Sequence, residues 1–95
     1  MNVDFLNFKT PREVSLEVAE KAKAKRKYMK LTQQQLADRS GVALSSLKRF
    51  ERTGEISFSS LLKIAWVLDS LKEFEELFKK PEYSSMEELL NDKTR

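Results

Sequence analysis

Near the middle of the chain, residues 31–51 read LTQQQLADRSGVALSSLKRFE. Drawn as a helix, Leu44–Arg52 turns Leu47 and Phe50 to one side and Ser45, Lys48, Arg49 and Arg52 toward water or a partner. Short hydroxyls and long cations on one rod suit the acceptors and donors that base edges present in a major groove. The plainer reading of the same residues is a solvated helix face. Catalysis finds much less support. The chain contains neither histidine nor cysteine, so serines such as those at 45, 46, 57, 59, 60, 70, 84 and 85 lack an imidazole partner. Its carboxylates sit on helix surfaces and at caps, outside any motif with a base or a metal ligand. Thiol redox chemistry, imidazole acid–base chemistry and Cys/His zinc sites are excluded. We expect no enzyme and no cofactor.

Positioning that rod requires a partner helix and a tight turn. Thr32 can cap a short helix that reaches Ser40, and Leu36 and Ala37 face inward from it. Ala37 is small enough to let the next helix approach closely. Gly41 supplies a left-handed turn that a side chain would resist, and Val42 plugs the angle between the two helices. This is the pattern of a helix-turn-helix. Ser45 and Ser46 are offset around the helix, so one is expected to turn partly inward. Ser46 is the one expected to bond within the first turn.

The remaining elements surround this unit. Thr10, Pro11 and Glu13 combine a cap, a first-position proline and a capping-box glutamate. They start a helix that runs to Met29 or Lys30, with a possible break near Ser15. Val14, Val18, Ala22 and Met29 are expected on its inner face, with Lys21, Lys25 and Lys27 elsewhere. Gly54 closes the Leu44–Arg52 segment. Ser57 caps a fourth helix through Leu61, Leu62, Ile64, Ala65 and Leu68. Ser70 and Glu73 form a capping box for a fifth, with Leu71, Phe74, Leu77 and Phe78 as its stripe. Lys79, Lys80 and Pro81 stop it. Ser84 or Ser85 then caps a last short helix containing Met86, Leu89 and Leu90, with Glu87 and Glu88 near its positive end.

No run alternates as a strand would. The fold class is all-α, a compact bundle of five or six short helices. The expected organisation is an amino-terminal arm over 1–9, a domain over 10–80 and a carboxyl-terminal helix or tail over 81–95. With 95 residues, 40% apolar and 35% charged, the chain suits one small globular domain. No apolar stretch is long enough for a membrane span and no signal-peptide core is present, so a cytoplasmic protein without a membrane partner is expected. Charge is uneven. Residues 1–54 hold twelve bases and six acids, whereas 55–95 hold six bases and nine acids. Residues 21–30 alone carry six bases and no acid. Such a patch fits nucleic acid, an acidic protein or a lipid surface, and equally a solvated face.

The combination of Gln33, Leu36-Ala37, Gly41-Val42, Ser46-Leu47, Arg49-Phe50-Glu51, Gly54, Ile56 and Ser60–Ala65 resembles the Xre family. These are the phage-repressor and Cro type of helix-turn-helix, and the resemblance covers roughly residues 16–78. It implies a regulator of transcription that binds double-stranded DNA, usually as a homodimer on a two-fold operator. By the same resemblance, Leu44, Ser45, Lys48 and Arg49 fall at base-reading positions. Gln33, Arg52 and Thr53 fall where phosphates are contacted. Arg26 and Glu51 match a bridged pair whose arginine faces the DNA backbone, the alternative being a salt bridge with no DNA role. The lead 10–13 and the tail 80–85 resemble small regulators encoded beside HipA-like kinase toxins, which would make the chain an antitoxin.

Three positions depart from the family pattern. Ala43 replaces a capping Ser or Thr, Leu44 replaces a polar reader, and Trp66 stands off the inward stripe of its helix. Trp66 either packs in the core or meets a second subunit or a toxin. Leu77, Phe78, Tyr83, Met86, Leu89 and Leu90 pose the same choice, and a chain with so little core favours a subunit contact for some of them. The expectation is a repressor that reads an inverted repeat as a dimer. The alternatives are an antitoxin that autoregulates its operon and a protein-interaction module that has lost DNA binding.

Overall fold

The computed structural model describes residues 8–80. These form α1 (Pro11–Tyr28), α2 (Gln33–Ser40), α3 (Leu44–Thr53), α4 (Phe58–Val67) and α5 (Leu71–Glu75), with no strand among the described residues. The last short helix, with Tyr83, Met86, Leu89 and Leu90, lies outside the described residues, as does most of the amino-terminal arm.

Local signals set most boundaries. The Thr10 hydroxyl accepts from the Glu13 amide at 3.1 Å, and the Glu13 carboxylate accepts from the Thr10 amide at 2.8 Å. Thr32 and Gln35 repeat this box at α2 with 2.9 and 3.0 Å bonds. The Ser57 hydroxyl accepts from the Ser60 amide at 3.2 Å. Each satisfies an amide that the first helical turn leaves unpaired. α1 is continuous through Ser15, and it ends at Met29.

The core joins α1 to α4: Ala19, Leu31, Leu36, Ala37, Val42, Leu47, Phe50, Ile64 and Leu68 form one buried cluster. Val18, Ala22, Leu44, Ile56, Leu61 and Val67 pack around it. The buried line of α1 therefore runs through Ala19 and Arg26. Val14, expected on the inner face, is exposed. The body meets that end of α1 at Ser15, which lies against the backbone of Gly54.

α5 departs furthest from expectation. Ser70 makes no side-chain cap, and the helix stops at Glu75. Its hydroxyl instead accepts from Lys25 Nζ at 2.7 Å and donates to the Leu68 carbonyl at 3.2 Å. The Glu73 amide donates to the Ser70 carbonyl at 3.2 Å rather than to the hydroxyl. Of the expected stripe, Leu71 and Phe74 are partly buried, and Phe74 meets the edge of Phe58 at a ring separation of 6.3 Å. Leu77 is exposed, and Phe78, in a left-handed backbone conformation, is almost wholly so.

Candidate nucleic-acid interface

α2 and α3 meet across the turn expected for a helix-turn-helix. Gly41 sits at φ +78° and its amide donates to the Ala37 carbonyl at 2.9 Å. Ser40, unremarked in the sequence, is buried and stitches the turn. Its hydroxyl donates to the Ala37 carbonyl at 3.3 Å and accepts from the Val42 amide at 3.2 Å. Ala37 and Val42 are buried where the helices cross. Close packing here holds α3 as a rigid rod.

Leu47 and Phe50, each 1% exposed, fix the inner face of α3. At about 100° per residue, Ser45, Arg49 and Arg52 project opposite that line, with Lys48 on one flank and Ser46 on the other. All five are exposed. Ser46 is therefore not turned inward, because it stands clear of the contact line. Leu44 is half-buried against the core, so only part of its side chain faces outward. Ala43 provides no side-chain cap, as its residue type dictates.

The cations differ in what holds them. Lys48 and Arg52 make no ion pair among the described residues. Arg49 Nη2 donates to Glu55 Oε1 in an exposed ion pair. Thr53 is occupied locally, its hydroxyl donating to the Arg49 carbonyl at 2.8 Å and accepting from the Glu55 amide at 3.1 Å.

Behind the rod lies a buried ionic cluster. Arg26 donates through Nε and Nη2 to the two carboxylate oxygens of Glu51 at 2.7 and 3.0 Å. Its Nη1 donates to the Leu31 carbonyl at 2.9 Å. Gln33 Nε2 also donates to Glu51, at 2.9 Å. The side chains of Arg26 and Glu51 are 8% and 4% exposed. Burial pushes the Glu51 carboxyl up, but the hydrogen bonds from Arg26 and Gln33, with the charges of Arg26 and Lys23, outweigh it. They hold the carboxyl below its ordinary range. The cluster ties α1, the start of α2 and the middle of α3 into one body, and it leaves little of Arg26 to face a phosphate.

Gln33 opens α2, where the amides of Gln33 and Gln34 have no partner within the helix. Its side-chain anchor on Glu51 keeps this positive helix end in register with α3, a geometry suited to an anion. Lys21, Lys23 and Lys27 stay exposed along α1 and Lys30 just beyond it, whereas Lys25 is tied to Ser70. Glu55 escaped the sequence reading because Arg49 lies six residues away, beyond the i,i+3 and i,i+4 neighbours that helix periodicity reveals. The role of Ser40 is local, with partners two and three residues away, but no motif in the sequence reading signalled it.

Trp66 is 66% exposed, so the body formed by the described residues does not bury it. Phe58, 60% exposed, also projects from α4.

Comparison with known families accords with this geometry. A family model described as Helix-turn-helix matches residues 23–75, from the second half of α1 through α5. No curated protein matches the chain. The match spans more than half of the 95 residues and contains the whole α2–turn–α3 unit with its buried supports. The chain therefore belongs to the Xre/Cro-type helix-turn-helix family and is a DNA-binding regulator of transcription.

Proposed function

We propose that the protein is a sequence-specific repressor that acts as a homodimer on an inverted repeat. The observation that carries this reading is the outward face of α3, where Ser45, Lys48, Arg49 and Arg52 stand exposed on a rod anchored by Leu47 and Phe50. Two such rods in successive major grooves would lie about 34 Å apart. Arg49 and Lys48 donate to guanine O6 and N7, Ser45 bonds a neighbouring base edge, and the outward part of Leu44 meets a thymine methyl. Gln33 and Arg52 hold phosphates. Thr53 joins them only by releasing the Arg49 carbonyl. Arg26 acts through Glu51 as a positioning residue. Occupancy of a promoter by the dimer blocks polymerase, in the cytoplasm on the nucleoid.

Exposed Trp66 and Phe78 support a protein contact as well, and a second copy of the chain is the partner we assign to it. An antitoxin role would place a toxin there instead, and a kinase toxin encoded beside this gene would favour that assignment. The test of the main reading is nuclease footprinting on the gene's own upstream region over a range of protein concentrations. Protection of two half-sites about one helical turn apart is expected. Uniform protection, with no preferred site in any duplex tried, would overturn sequence-specific repression.

A further inference from the structure

The turn that ends α3 carries a carboxylate onto the face that α3 presents. Gly54, at φ +80°, donates its amide to the Phe50 carbonyl at 2.7 Å and lies directly against the backbone of Ser15. The Thr53 hydroxyl links the Arg49 carbonyl to the Glu55 amide, which folds residue 55 back alongside the last turn of α3. Only from that position does the Glu55 carboxylate reach the Arg49 guanidinium, six residues earlier. Both side chains remain more than half exposed, at 59% and 55%. Exposed pairs of this kind add little to stability. The backbone arrangement that presents Glu55 is nonetheless built from three hydrogen bonds and a close helix contact.

We propose that Glu55 is a specificity-determining residue of the DNA interface, acting through Arg49. This rests on the DNA-binding reading above. Arg49 has five N–H donors, and Glu55 takes one of them at Nη2. The carboxylate limits the rotation of the guanidinium and leaves its remaining donors for two acceptors in one plane, the pattern that guanine O6 and N7 present. It also offsets the positive charge that would otherwise attract any phosphate, whatever the sequence. The first effect favours the correct site. The second weakens incorrect ones. Both raise the ratio of specific to non-specific affinity.

The test compares the wild-type chain, Glu55→Gln, Arg49→Ala and the double variant. Two duplexes serve as probes: one selected by the wild-type protein from a random library, and a scrambled duplex of equal length. Glu55→Gln keeps the backbone bonds of the turn, and circular dichroism melting checks that it folds as the wild type does. With Glu55→Gln, scrambled DNA should bind more tightly and its salt dependence should steepen by about one phosphate contact between 50 and 200 mM salt. The specific-to-scrambled ratio should fall about five-fold. In the Arg49→Ala background the same substitution should leave that ratio unchanged. An unchanged ratio in the single variant, or an equal fall in both backgrounds, overturns the proposal while DNA recognition stands. Failure of the wild-type protein to prefer any duplex overturns the DNA-binding reading, and this inference with it.

Discussion

α3 and α4 are each ten residues long, and each buries two side chains: Leu47 and Phe50 from one, Ile64 and Ala65 from the other. Their outer faces differ in their large side chains: α3 presents Ser45, Lys48, Arg49 and Arg52, whereas α4, beside Ser59 and Lys63, presents the aromatics Phe58 and Trp66. Burial of one stripe is what folding requires of a helix. The opposite stripe is left to answer to whatever the protein touches. A row of donors on a rigid rod suits a polyanion with readable edges, while large aromatics left in water suit another protein surface. The supports differ in the same sense. α3 is held from behind by a bidentate buried ion pair, and the α5 segment beyond α4 ends after five residues with Leu77 and Phe78 exposed.

The sharpest way to break this contrast is to remove the support behind α3. Glu51→Ala leaves the Arg26 guanidinium buried without its carboxylate and should destabilise the fold by about 3–5 kcal/mol, read by chemical denaturation. The pH dependence follows from the same group. Its carboxyl titrates lower in the folded chain than in the unfolded one, so the unfolded state takes up the proton first as pH drops. The Glu51 contribution is full above the ordinary carboxylate range and is lost as pH falls through that range toward the folded value. Melting temperatures that stay level or rise on acidification through this range would count against the cluster as a support of α3.

Next come the two glycines that bound the unit. A Cβ on Gly54 would lie 2.8 Å from the Ser15 carbonyl carbon, whereas one on Gly41 meets nothing within 4 Å. Both occupy left-handed backbone, so Gly41→Ala should cost about 1–2 kcal/mol. Gly54→Ala should add about 1–3 kcal/mol of overpacking against backbone. Equal losses in thermal denaturation would show that the α1–α3 contact is looser than the structure has it.

Arg49→Ala should lower discrimination at one or two base positions by about 1–3 kcal/mol without moving the melting temperature. A binding-site selection repeated with the variant reads this directly. The effect on folding should also be small in α4. Trp66→Ala should change the stability of the single chain by less than about 0.5 kcal/mol. If the aromatic face joins two copies, the same variant should shift the sedimentation equilibrium toward monomer. A large loss of monomer stability would instead make Trp66 a packing residue, and the contrast between α3 and α4 would fail.

Thr10, Thr32, Ser57, Gly41 and Gly54 were all legible as helix boundaries, because a cap or a left-handed turn is decided within four residues of chain. Leu36, Ala37, Leu47 and Phe50 were legible as core for a similar reason, since helix periodicity alone places them on one side. Ser70 obeyed the same local rule on paper and failed it in the fold. Its hydroxyl turns to Lys25, 45 residues earlier, and the Glu73 amide goes to its carbonyl. Val14 and Leu77 had the right spacing for burial, but the described residues leave both about half exposed.

Residue order along the chain was enough to establish an all-helical fold, a helix-turn-helix and a cationic outer face on its second helix, because those properties depend on near neighbours. The pairing of Arg26 with Glu51 was expected from the resemblance, but the arrival of Gln33 on the same carboxylate, the tether from Lys25 to Ser70 and the meeting of Glu55 with Arg49 came only with the folded arrangement. Each depends on the angle at which a turn delivers one helix to another, and that angle is set by the packing of the whole core rather than by any short stretch of sequence.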